Sequence, residues 1–175
     1  MGEALHHRVL KDASVVQWQD RRNTGGLRLA TLEVGGRYLR IRSTSALPAF
    51  LSSVGSVDDA IAVSDLVRML MPSSQQDWGV LLRPAEGRIP ETARGKNGRY
   101  TEFDCRRWGV PEEPAVEPLP DGGYAVRRIA LRVRPGGWQL QVVMMLDIVG
   151  PDGAFRSSLD RVLDEDGRDY DVRWL

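Results

Sequence analysis

The chain has 175 residues, no formal net charge and 42% apolar side chains, enough for one packed domain and unlike a disordered polymer. No apolar run approaches the roughly 20 residues of a membrane-spanning helix, the N-terminal MGEALHHRVLKD has no apolar stretch of signal-peptide length, and the lone Cys105 excludes an internal disulfide. The expectation is a cytoplasmic protein forming a single α+β domain over residues 1–175, with 1–13 loosely ordered and no membrane span.

Arginine supplies almost all of the positive charge, with 22 arginines against two lysines. A GC-rich codon supply accounts for that count, so only the placement of the arginines is informative. Residues 1–110 carry 16 basic and 12 acidic side chains and residues 111–175 carry 8 and 12, giving +4 and −4.

In chain order, the first elements come from VVQWQDRRNTGGLRLATLEVGGRYLRIRS. A two-residue turn at Gly35-Gly36 sets Leu32 opposite Leu39 and Glu33 opposite Tyr38, an antiparallel meander with one buried side. SALPAFLSS suggests a short helical turn interrupted by Pro48. SVDDAIAVSDLVRMLMP predicts the main helix near 57–71: Ser56 caps it, Asp58 and Asp59 suit the first turn, and Pro72 stops it. Asp58, Asp65 and Arg68 form a narrow polar stripe on an otherwise apolar helix, which must lie against a sheet.

From 84 to 123, prolines break the chain into a long irregular segment with one expected strand, RYTEFDCRRW. A second meander follows. With Gly136-Gly137 in a two-residue turn, Val133, Leu131 and Ile129 oppose Leu140, Val142 and Met144, and every pair on that face is apolar. The other face pairs Arg134 with Gln139, Arg132 with Gln141, Ala130 with Val143 and Arg128 with Met145. GPDG is the next turn, bringing Ile148 opposite Phe155 and Asp147 opposite Arg156, and RVLDEDGRDYDVRWL reads as a last hairpin.

The fold class is therefore α+β, a mainly antiparallel twisted sheet from N-terminal and C-terminal meanders packed by one helix. Catalytic signatures are scarce. His6 and His7 are too few for a zinc site, Cys105 has no histidine partner fixed beside it, and DEDGRDYD lacks carboxylates at the ends of a calcium loop. No catalytic residue, metal or cofactor is expected.

The leading expectation is a non-catalytic protein-interaction module: an adaptor, an inhibitor or a self-assembling subunit. Its contact surface is the face bearing Arg128, Arg132, Arg134, Gln141, Val143 and Met145, since arginine and methionine beside small apolar groups suit a protein partner. The partner is another protein or a second copy. A nucleic-acid binder using the same arginines is the first rival, disfavoured because only Tyr124 on that face can stack a base. An enzyme using carboxylates such as Glu102 and Asp104 is the second.

Overall fold

Two glycines fix the first sheet. In the computed structural model, Gly35 and Gly36 have φ of 56° and 76°, the left-handed pair that a two-residue hairpin turn requires. The structure describes residues 3–5, 8–19, 28–71, 80–81, 93–94, 114–133, 140–164 and 171–172, with side chains over 8–16, 30–71, 114–130 and 141–164. Strands β1 (Glu3–Leu5), β2 (Ser14–Gln19), β3 (Arg28–Val34) and β4 (Arg37–Leu39) lie side by side in chain order, each pair antiparallel. Leu32 meets Leu39 and Glu33 meets Tyr38, the register expected from the glycine pair. Burial is not confined to one side, however. Val15 opposite Leu32 and Val16 opposite Thr31 alternate between the two faces, and all four are buried.

Residues 8–12 are tied to the segment before the main helix. Val9 is buried, its carbonyl accepts from the Ser52 amide at 2.9 Å, and the Lys11 amide donates to the Phe50 carbonyl at 2.8 Å. Thr44–Phe50 forms a 3₁₀ helix that accommodates Pro48 and buries Leu47.

Helix α1 (Val57–Leu70) begins as its sequence dictates: the Ser56 hydroxyl accepts from the Asp59 amide at 3.2 Å. The Ser56 hydroxyl, the Gly55 amide and Arg8 hold the Asp59 carboxyl below the usual carboxylate range, against the opposing pull of partial burial. Buried residues run around most of the helix, as all-round packing demands, and α1 packs against β3.

Beyond α1 come β5 (Val80–Leu81), β6 (Ala93–Arg94), β7 (Ala115–Pro118), β8 (Tyr124–Val133), β9 (Leu140–Val149), β10 (Phe155–Asp164) and β11 (Asp171–Val172). A second sheet has the order β10-β9-β8-β5, with β7 also on β8, and β11 pairs with β6. The architecture is α+β with antiparallel sheets and one main helix. Most of the proline-rich stretch, including the strand expected at 99–108, lies outside the described residues, as do the Gly136-Gly137 turn and the turn of the last hairpin. No described helix is long and apolar enough to cross a membrane.

The chain divides into two compact units. One comprises residues 1–73, 116–126 and 147–156; the other comprises 74–115, 127–146 and 157–175. In the second, Ile129, Val142 and Met144 are buried as strand parity requires, and Ala130, Val143 and Met145 form a cluster joined by Val162.

The first unit contains one turn used twice, Leu-Pro-Asp-Gly-Gly at 119–123 and Gly-Pro-Asp-Gly-Ala at 150–154. In each, the fourth residue is a glycine with φ near 80° that donates to the carbonyl of the first (Gly122 to Leu119 at 3.0 Å, Gly153 to Gly150 at 2.9 Å). In each, the amide of the first residue also donates to the carbonyl of the fifth at 2.8 Å. This is a type I turn closed by a left-handed glycine. Asp121 and Asp152 accept from the amides two residues on, at 3.0 and 2.9 Å. Closure at Gly150 and Ala154 sets Phe155 beside Val149 rather than Ile148, and both are buried.

Two outcomes follow for stability. Asp59→Asn should cost about 0.5–1 kcal/mol at neutral pH, the worth of an acid in a helix first turn. Because the folded carboxyl is the stronger acid, its contribution is present above the unfolded carboxylate range and is lost as pH falls through the lowered folded value. Urea melts at neutral pH and at pH 2.5 would show this, and an unchanged gap at the lower pH would refute it. Gly123→Ala should cost about 1–3 kcal/mol, since its Cβ would sit 2.6 Å from the Val149 carbonyl oxygen. A urea midpoint unmoved by Gly123→Ala would contradict that close approach.

Candidate functional site

The nominated arginine face is largely interior. Arg128, Gln141, Val143 and Met145 are all buried, whereas the side chains of Arg132 and Arg134 lie outside the described residues. The physical reason is packing: Val143 and Met145 belong to the core cluster of the second unit, and Arg128 and Gln141 each already have a partner within the chain. A partner would have to displace that packing to reach them. His6, His7, Glu102, Asp104 and Cys105 lie outside the described residues.

Among the described residues, one ion pair is interior. Arg68, expected on a polar stripe of α1, is only 5% exposed, and Asp147 on β9 is fully buried. Arg68 Nη1 donates to Asp147 Oδ2 at 2.6 Å and Nη2 donates to Oδ1 at 2.9 Å, a two-pronged pairing. The Ser64 hydroxyl, one helical turn before Arg68, donates to Asp147 Oδ2 at 2.7 Å and accepts from Arg68 Nη1 at 2.9 Å. Nη1 also reaches the Ser64 carbonyl at 3.3 Å. A carboxylate without solvent access, held by a guanidinium and a hydroxyl, has no route to a substrate. It ties α1 to β9.

This triad has a signal in the sequence. Asp147 is the only acid in LQVVMMLDIVG, and Arg68 is the only base in a helix whose other residues are apolar or acidic apart from Ser64. A lone acid in a buried strand and a buried base on a neighbouring helix are tolerable when the two charges meet. Pairing Asp147 with Arg156 across the hairpin missed this, and Arg156 is exposed.

The surface offers a different concentration of charge, at the edge of the first sheet. All three residues of β4 are exposed, with Tyr38 at 58% and Leu39 at 38%. Arg37, Arg40 and Arg42 are exposed as well, and among the described residues none of their side chains takes part in an ion pair or hydrogen bond. Ile41 is buried between the exposed Arg40 and Arg42. Glu33, opposite Tyr38, accepts a hydrogen bond from Ser14 Oγ at 3.1 Å. Exposed lengthwise arginines beside an aromatic ring and a leucine are the composition of a contact surface.

Among the described residues, no group of three or more histidine, cysteine or acidic side chains is placed to hold a metal ion. Comparison with models of protein families finds no match, and neither the curated proteins nor the solved structures include one that matches.

The buried pair gives a sharp stability test. Asp147→Asn or Arg68→Met alone should each destabilise by about 3–5 kcal/mol, because each strands an uncompensated charge or donor set in the interior. Arg68→Met combined with Asp147→Leu should cost less than the two single substitutions summed. Chemical denaturation of the four proteins measures this. Single substitutions that cost under about 1 kcal/mol would show that the pair is not buried in solution.

Proposed function

We propose that the chain is a non-catalytic protein-interaction module whose contact surface is the basic edge of the first sheet, Arg37–Arg42. One observation supports this reading: Arg37, Arg40 and Arg42 are exposed, with no ion partner among the described residues, beside exposed Tyr38 and Leu39. Exposed guanidinium groups with no described partner keep their charge available for another molecule, whereas Arg68 has spent its charge internally. The apolar pair supplies the desolvated centre and the arginines the orienting rim, a division typical of protein contacts. Adaptors, inhibitors and self-assembling subunits all work through such a surface. The reading keeps the expected class of function and moves its site from the arginine-bearing face of the second meander to the edge of the first.

A photo-crosslinking residue placed at Tyr38 in cells that produce the protein tests this, with the exposed Val57 as the control position. Discrete protein adducts should arise from position 38 only, and should disappear when Arg40→Glu and Arg42→Glu are added. Adducts to nucleic acid, equal labelling from position 57, or no adduct at all would overturn the proposal.

A further inference from the structure

We infer that the occupant of the basic edge is a second copy of this chain, which docks through its two Pro-Asp-Gly turns; this rests on the reading of Arg37–Arg42 as the contact surface. Both surfaces belong to the same compact unit, residues 1–73, 116–126 and 147–156. The turns lie side by side, since a Cβ on Gly123 would be 2.6 Å from the Val149 carbonyl oxygen and 3.3 Å from Gly150 Cα. Pro120 and Asp121 at the centre of one turn, and Pro151 and Asp152 at the centre of the other, are all exposed. Oδ1 of each aspartate accepts the amide two residues on, which fixes the carboxylate, and Oδ2 of each has no partner among the described residues. A side chain already held by its own turn loses little freedom on docking.

Charge is segregated between the two surfaces. Residues 34–56 contain three arginines and no acid, whereas 114–126 and 147–155 contain no base and expose Glu117, Asp121 and Asp152. Among the described residues no ion pair joins an edge arginine to a turn acid, so the two surfaces of one molecule do not satisfy each other. The match extends beyond charge. Exposed proline rings are rigid apolar surface of the kind that a tyrosine ring and a leucine cover, and Tyr38 and Leu39 stand between Arg37 and Arg40. Two basic edges repel each other, as do two acidic pairs of turns, so the contact joins unlike surfaces. Each docked copy then leaves one edge and one pair of turns open, and assembly runs head to tail. The absence of net charge removes the overall repulsion that would oppose the addition of copies.

Light scattering coupled to size-exclusion chromatography of the full chain tests this. At low salt the native protein should gain mass as its concentration rises, and it should return to single chains in about 1 M salt, where the screening length is roughly 3 Å. Arg40→Gln with Arg42→Gln removes charge from the edge. Asp121→Asn with Asp152→Asn removes charge from the turns while keeping an oxygen to accept each turn amide. Each double variant alone should remain a single chain, with circular dichroism to check that these exposed changes keep the fold. Mixed in equal amounts, the two should form a complex of two chains and nothing larger, because one intact edge meets one intact pair of turns. A native protein that stays a single chain at every concentration, assembly undiminished in either variant, or a mixture that fails to pair would each overturn the inference. Adducts from position 38 to other proteins, together with a native protein that stays a single chain, would sink self-docking and leave the contact surface standing.

Discussion

Asp147 is a charge with no exposure in a strand of apolar residues, and the first unit is organised around answering it. An isolated buried carboxylate is costly enough to unfold a domain of this size or to force its own protonation. Here the answer comes from across the fold: Arg68 and Ser64, a helical turn apart on α1, converge on the two oxygens of one side chain. Apolar contacts alone would let a helix slide or rotate over a sheet at modest cost, since one close packing resembles another. Two parallel hydrogen bonds to one carboxylate fix α1 on β9 in a single rotation and a single register. The triad adds directional contacts at Asp147 that apolar packing lacks.

Local chemistry supports that arrangement from the turns. The two Pro-Asp-Gly turns use the same devices: a proline that presets the first bend, an aspartate that accepts an amide two residues on, and a glycine in the left-handed region. Their neighbours explain why small residues flank them. A Cβ on Gly123 would strike the Val149 carbonyl, and one on Gly153 would come within 2.5 Å of Leu51 Cδ1. The Val54 amide donates to the Pro151 carbonyl at 2.9 Å, so the second turn is docked on the segment that leads into α1. Tight turns and close packing make one demand here, and the same glycines meet it.

Much of this was legible because local rules do not depend on tertiary context. The Gly35-Gly36 hairpin, its register, the Ser56 cap and the span of α1 follow from turn chemistry, parity and capping, and each is present. What periodicity could not reveal is which faces are covered twice. Arg128 and Gln141 read as wet because they are polar and alternate with apolar neighbours, yet both are buried. A strand sequence carries no information on what lies beyond its second face. Arg68 was misplaced for the same reason, since a single arginine on a helix looks like surface until the acid that receives it is located on another element. The Pro-Asp-Gly repetition was present in the sequence and marks both turns, although only the second was read as one.

Interior and edge arginines differ in what they can do, and that difference carries the functional reading. A buried guanidinium such as that of Arg68 has already exchanged its hydration for fixed partners, so a binding event cannot use it without unmaking the fold. An exposed one on a sheet edge keeps its hydration until a carboxylate replaces it, and the exchange can be reversed. Arg37, Arg40 and Arg42 lie in the second class and stand beside a tyrosine and a leucine whose burial would favour association. Short, strongly charged edge strands also resist indiscriminate pairing, because a second basic strand would be repelled.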